Sequence, residues 1–402
     1  MPALRSLSPA RVFRSEQHSA IVLLAAAVLG LTIANTPLGP PIMALRDTVL
    51  TVPFTEMSLT LGHWIVDGLL VVFFFLVAVE LRFELTKGEL RSPRRALAPA
   101  AAAIGGVVIP ALIFVAFTAG TEQMRGWPVP TATDIAFALG VLALLGRGLP
   151  RQVRVFLLAV AILDDLIGIL IIAINFTVDI DLGMLVAAVV VVALFGVLSR
   201  VMLRVPGWRR NVIRVALVLL ALAAWFFVHE SGVHATIAGV SLGLVMQPVV
   251  ARLTASNIAP WSNGVVLPLF AFTAALVAFP AAGVADLHPA FWGISVGLVV
   301  GKLIGITLFG WIASRLLIRQ ADHRLVLPDL ITVATLGGIG FTVALLMSQL
   351  AFRDMPGYID ESTLAVLAGS GVATVLSVIV VSLRARHYRR RLAERAMTLE
   401  HS

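Results

Sequence analysis

The sequence contains no cysteine, which rules out disulfides, thiolate metal ligands and a cysteine nucleophile. Charge is scarce as well: 13% of the 402 residues are Asp, Glu, Lys or Arg, against 59% hydrophobic. Lysine is almost missing, because 28 of the 30 basic residues are arginine and only Lys87 and Lys302 are not. A chain with so little polar surface and a mean hydropathy of +0.99 has lipid, not water, as its solvent. What is present instead is a succession of apolar runs near the roughly 20 residues that a spanning helix needs.

Twelve such runs are read: 19–36, 60–82, 97–118, 127–146, 152–176, 182–204, 211–228, 233–250, 261–283, 290–314, 329–351 and 361–384. The expected fold is an all-α polytopic membrane protein with one transmembrane domain over 19–384. A short segment, 1–18, precedes it and a basic tail, 385–402, follows. Arg5, Arg11 and Arg14 before the run Ala20 to Ile33 resemble a signal peptide. No small-x-small cleavage site follows, so that run is expected to be the first span, uncleaved. The net charge of +8 is not a nucleic-acid signal, since the basic residues sit in short loops. The N-terminus, loops 82–95, 147–154, 200–214 and 315–324, Arg252 and the tail hold 26 of the 30 Lys and Arg. Every second loop is basic, which places both termini in the cytoplasm and makes the number of spans even.

Against this background four charges stand out. Asp134 lies in the fourth run, Asp164 and Asp165 at the centre of the fifth, and Lys302 at the centre of the tenth. Each costs roughly 2.5–3.5 kcal/mol at a helix centre, so together they are expected to converge inside the bundle. A purely structural ion-pair cluster is the alternative. Three carboxylates facing one ammonium are unbalanced, however, and a bound cation or protons must make up the difference. Adjacent aspartates point about 100° apart on a helix, so one can take Lys302 while the other faces a cavity with Asp134. Such a cluster titrates in coupled steps, and Na⁺ and H⁺ would compete for the same oxygens. A buried lysine, unlike arginine, can also release its proton.

Two runs are interrupted. Gly126-Trp127-Pro128-Val129-Pro130-Thr131-Ala132-Thr133 leads into Asp134, and its prolines remove backbone hydrogen bonds. Gly337-Gly338-Ile339-Gly340-Phe341-Thr342 sits inside the eleventh run. Half-helix ends carry partial charges, so a carboxylate such as Asp134 suits the N-terminal ends and an ammonium such as Lys302 the C-terminal ends. The arrangement expected is two interrupted helices crossing at the midplane, with spans 3–5 and 10–12 as inverted repeats.

The motifs resemble those of the NhaA-type sodium/proton antiporters. They are Phe74-Phe-Leu-Val-Ala-Val-Glu80, Thr131 to Gly146, Ala161-Ile-Leu-Asp-Asp-Leu166, Ser231 to Gly239, Gly301-Lys-Leu-Ile-Gly305 and Gly337 to Thr342, in the family's order over roughly 15–385. That family is itself a known case of inverted repeats with broken helices. The resemblance implies efflux of Na⁺ or Li⁺ in exchange for protons across a bacterial inner membrane, for sodium and pH homeostasis. No enzymatic activity and no organic cofactor are implied. It assigns ion binding to Asp165 with Asp164 beside it and able to pair with Lys302, and puts Asp134 and Thr133 at the helix crossing, where they join the ion-binding and proton-coupling set, with Lys302 and Asp134 compensating charge. Asp67 would lie near the external side and Glu80 near the cytoplasmic entrance, with Glu84 in the region of the pH response. His234 is read apart from the resemblance: it serves the pH response through its own titration, or it is a packed or loop-end histidine. A homodimer joined through the external segment 44–58 is also implied. Two departures concern the pH response: Phe83 stands where the family usually has a second basic residue, and Ala255, Ser256 and Ala259 replace a Glu-His pair and a further His.

Other readings carry less. His229-Glu230 and His234 have a spacing one residue too long for a zinc helix. The glycines at 337–340 follow no strand, so they are not a phosphate loop. The arginines after 383 read as an anchor on anionic lipid. A cation channel, an intramembrane aspartyl protease and exchange of K⁺ remain as alternatives. The first lacks a recognisable filter sequence, and the second has no use for Lys302 or the broken helices.

Overall fold

The structure, a computed structural model, describes residues 16–51, 58–91, 93–177, 180–279, 287–317 and 325–400. Most of the expected N-terminal segment and part of the loop 315–324 lie outside the described residues. The fold is helical. Among the described residues seven helices are long and apolar enough to cross a membrane, or nine if two bent pairs each count as one span. The protein is therefore a multi-pass membrane protein.

The chain forms two compact units. In the first, drawn from 22–88 and 169–278, Leu70–Thr86 packs along Thr236–Val245, and Leu182–Val201 along Trp208–Glu230. Phe75, Phe195, Leu217, Leu242 and Met246 form the buried core between these helices. Asp181 starts Leu182–Val201 by accepting hydrogen bonds from the amides of Gly183 and Met184, which satisfies donors that a helix N-terminus leaves open.

Three features of this unit differ from the sequence reading. Residues expected to be helix or loop form a small antiparallel hairpin, Val49–Thr51 with Ser58–Thr60. The stretch around Arg252 is a helix, Pro248–Trp261, opened by Pro248 and capped by Gln247. The run 233–250 is not one span-length helix: it holds the ten-residue helix Thr236–Val245 and the first residues of Pro248–Trp261.

The second unit, drawn from 89–168 and 279–402, holds all four intramembrane charges. Pro93–Thr118 and Lys302–Leu317 pack along each other, and their backbones approach so closely at Gly105 and Gly305 that a Cβ on either would overlap the other's carbonyl. That approach fixes the helix carrying Lys302. Immediately before it, Gly297–Gly301 forms a π-helical turn, a distortion that often accompanies functional positions. Asp164 and Asp165 lie in the helix Arg151–Asn175.

Both interrupted runs are broken as expected. Short 3₁₀ turns, Glu122–Gly126 and Val129–Thr131, precede an extended Ala132, and Ile135–Leu145 restarts the helix. Leu327–Gly337 and Phe341–Ala351 meet at a 50° bend. The last helix, Pro356–Glu400, runs through the end of the expected span and on into the basic tail.

Candidate functional site

Asp134 sits at the break of its run, where its side chain can reach two helix starts. Its Oδ1 accepts from the amide of Phe137 at 2.9 Å and so caps Ile135–Leu145. Its Oδ2 accepts from the amide of Thr342 at 3.1 Å and from the Thr342 hydroxyl at 2.7 Å, at the start of Phe341–Ala351. One carboxylate thus faces the positive ends of two half-helices. The Asp134 amide in turn donates to the carbonyl of Ile339 at 2.7 Å, and the Phe341 amide donates to the Ser370 hydroxyl at 3.0 Å.

Thr133, the preceding residue, joins this frame to the ammonium. Its hydroxyl donates to the carbonyl of Gly337 at 2.8 Å, at the negative end of Leu327–Gly337, and accepts from Lys302 Nζ at 2.9 Å. Lys302 is wholly buried, and its Nζ also donates to Asp164 Oδ2 at 2.8 Å. The ammonium therefore reaches a helix C-terminus through one hydroxyl and a carboxylate directly.

Asp164 Oδ1 is buried without a hydrogen-bond partner, an unusual state for a carboxylate oxygen inside a protein. Asp165 is 6% exposed, and its charge acts on Lys302. Among the described residues Asp134 shares no hydrogen bond with Asp164 or Lys302, and its oxygens are engaged at the two helix starts. Nor do three His, Asp or Glu side chains gather there as a resident metal site. Chemically the cluster can exchange partners: an ammonium, a proton or a small cation can each neutralise the paired aspartates.

The remaining expected residues belong to the first unit. Glu80 is exposed and lines a groove of about 310 Å³ together with Phe83, Arg252, Ala255, Ser256 and Ala259. Phe83, Ala255, Ser256 and Ala259, the four positions singled out for the pH response, therefore all line one groove. Arg252 lies over the Phe83 ring at 4.0 Å. Glu84 is half-buried one turn beyond Glu80. His234 is half-buried just before Thr236–Val245, and its carbonyl accepts from the amide of Ile237. The backbone of Asp67 lies in the π-helical segment Trp64–Leu69; its side chain lies outside the described residues. Part of the segment 44–58 does too.

Sequence reasoning missed Thr342 and Ser370 as partners at the break. The signal for Thr342 was a hydroxyl one residue beyond a helix restart, opposite an acidic N-cap. It also missed Arg125, whose Nε donates to the carbonyl of Ala351 at the far end of the second half-helix.

Comparison with known proteins adds the family. The model of the family described as Na⁺/H⁺ antiporter 1 matches residues 10–381. The chain is 56% identical over 383 residues to Na(+)/H(+) antiporter NhaA 2 of Clavibacter michiganensis subsp. michiganensis, covering 94% of this chain and 93% of that protein. It is 43% identical to the antiporter NhaA of Tropheryma whipplei over 371 residues, 92% of this chain and 94% of the relative. Against the NhaA protein of Thermobifida fusca the figure is 41% over 401 residues, 95% of each.

Proposed function

The chain belongs to the Na⁺/H⁺ antiporter 1 family, and on that premise we propose that it expels Na⁺ in exchange for protons at the Asp164–Asp165–Lys302 cluster. The observation that carries the reading is the buried pair of Lys302 Nζ with Asp164 Oδ2, beside an Asp164 Oδ1 that has no partner and a second buried carboxylate, Asp165. A sodium ion needs several oxygens and displaces competing positive charge from them. Here the competitors are the Lys302 ammonium and the protons that Asp164 and Asp165 take up. Binding Na⁺ therefore releases H⁺, and binding H⁺ expels Na⁺, which is sufficient for exchange.

Asp134 and Thr133, expected with Asp164 and Asp165 among the ion-binding and proton-coupling residues, are proposed to serve this site by compensating charge around it. Asp134 compensates two helix N-termini, and Thr133 holds the ammonium at a helix C-terminus. The finer architecture is proposed with it: twelve spans, broken helices crossing near the midplane, inverted repeats in spans 3–5 and 10–12, and both termini in the cytoplasm. The alternation of basic loops supports the orientation. Li⁺ is proposed as a second cargo, being a small cation with the same preference for oxygen. Glu80, Glu84, Asp67 and His234 are proposed to serve cation entrance and the response to pH. No organic cofactor enters this scheme. A homodimer through segment 44–58 is proposed as well; the exposed strand Val49–Thr51 supports it by offering an unpaired edge.

The experiment is dequenching of a pH-sensitive dye in proteoliposomes on addition of Na⁺, Li⁺ or K⁺. Proton movement with Na⁺ and Li⁺ but not K⁺ is expected. Cation flux indifferent to the pH gradient would point to a channel instead.

A further inference from the structure

Apart from the ion cluster, one more carboxylate is buried among the described residues of the second unit. Asp329 stands in the first turn of Leu327–Gly337 and is 2% exposed. Its Oδ1 accepts from Arg384 Nε at 2.7 Å, and its Oδ2 accepts from the Tyr388 hydroxyl at 2.8 Å. The Arg384 guanidinium also lies over the Tyr388 ring, 4.8 Å from its centre. Residues four apart share a helix face, so one face of the terminal helix holds both oxygens of the carboxylate. A buried ion pair is a poor source of net stability, because desolvation offsets the attraction. What two directed contacts do supply is a fixed position.

That position matters because of what lies at the other end of the same half-helix. Leu327–Gly337 has eleven residues, a rod about 16 Å long. Asp329 is near one end. At the other, the Gly337 carbonyl accepts from Thr133, and Thr133 accepts from Lys302. The terminal helix meets a second part of the machinery one turn further on. Gly148, in the short link between Ile135–Leu145 and Arg151–Asn175, has φ +103, and a Cβ built there would lie 2.8 Å from Arg389 Cγ. Only glycine suits that backbone and leaves room for the arginine stem. The segment 384–389 therefore contacts both the start of the rod and the link between the helices of Asp134 and Asp164.

We propose that Asp329, Arg384 and Tyr388 are positioning residues for ion exchange: they set the height of Leu327–Gly337 so that Gly337 keeps Thr133 within reach of Lys302. This rests on the reading of Asp164, Asp165 and Lys302 as the transport site. Thr133 shares the ammonium with Asp164. If the rod slips and Thr133 withdraws, the ammonium is left to Asp164 alone, and Na⁺ meets a tighter competitor.

The test uses the full-length protein reconstituted in liposomes, with Arg384→Gln, Arg384→Lys, Tyr388→Phe and the double variant Asp329→Asn with Arg384→Gln. Arg384→Gln should raise the apparent KM for Na⁺ about fivefold with a smaller change in maximal rate. It should also speed amide hydrogen exchange along the rod as far as Gly337. Arg384→Lys should recover part of both effects, and the double variant should be no worse than Arg384→Gln alone. A lower Tm with unchanged KM, and faster amide exchange confined to the first turn, would overturn the proposal in favour of a local staple. Should Arg384→Gln fail to fold, Tyr388→Phe decides by the same two readouts. Asp165→Asn separates the two layers of the argument. If it abolishes exchange while Arg384→Gln leaves KM untouched, only the positioning role falls; if it leaves exchange intact, the site itself is misassigned.

Discussion

The carboxylate of Asp134 and the hydroxyl of Thr342 lie 2.7 Å apart and join two helix starts, although the two residues are 208 positions apart in the chain. Because Asp134 Oδ1 caps Ile135–Leu145 at the same time, a single side chain supports both breaks. Losing one cap costs about 1 kcal/mol, and a buried donor left unsatisfied costs roughly 1–3 kcal/mol. Asp134→Ala should therefore destabilise the protein by several kcal/mol on these scales, and Asp134→Asn by less, since one oxygen acceptor remains. Thermal unfolding in detergent measures the difference. Equal Tm values for the two variants and the parent would mean the caps are unimportant.

Lys302 and Asp164 form a fully buried pair. Removing one member of such a pair costs roughly 3–5 kcal/mol, because the other stays charged in the interior. Lys302→Ala is expected to lower Tm markedly and to weaken Na⁺ dependence, while Lys302→Ala combined with Asp164→Asn should regain stability but not transport. Unfolding and dye assays on the same preparations check this, and recovery of transport in the double variant would contradict it.

Asp165→Asn should abolish Na⁺-dependent proton movement in everted vesicles, and Asp164→Asn should cripple it too, since the site loses a carboxylate charge and Lys302 loses its partner. Protein abundance in the vesicles must be matched for the comparison. Activity at the parental level in Asp165→Asn would refute the assignment.

The buried charges were legible because the cost of a charge in hydrocarbon makes each one conspicuous in an apolar run. Pro128, Pro130 and the glycines at 337–340 were legible for the same kind of reason: they cannot continue a helix undisturbed. Other features were not. Neighbours such as Asp164 and Asp165 point in different directions, and geometry alone does not say which of them meets Lys302. The π-helical turn at Gly297–Gly301 carries no distinctive signature, since glycine and valine recur throughout the apolar runs. The helix Pro248–Trp261 was hidden by its low hydrophobicity beside longer apolar runs. Asp329 opens the eleventh run and gave no signal of its own, since its partners Arg384 and Tyr388 lie more than fifty residues further along the chain.

The groove beside Glu80 leads to a prediction about pH. Phe83, Ala255, Ser256 and Ala259 bring no titratable group into it, so Glu80 and Arg252 are its ionisable lining. Ser256→His together with Ala259→His adds two groups that titrate near neutrality. The pH–activity curve of exchange should become steeper between pH 6 and 8, on the scale of unperturbed histidine. A curve identical to that of the parent would show that this groove takes no part in the response.

Competition of Na⁺ with protons at Asp164 and Asp165 is tested most directly by the apparent KM for Na⁺ in proteoliposomes, measured at a series of pH values. Protonation removes the carboxylate charge that Na⁺ requires, so KM should climb as pH falls, while the maximal rate at saturating Na⁺ stays nearly constant. A KM that is independent of pH, with only the maximal rate changing, would contradict a shared site.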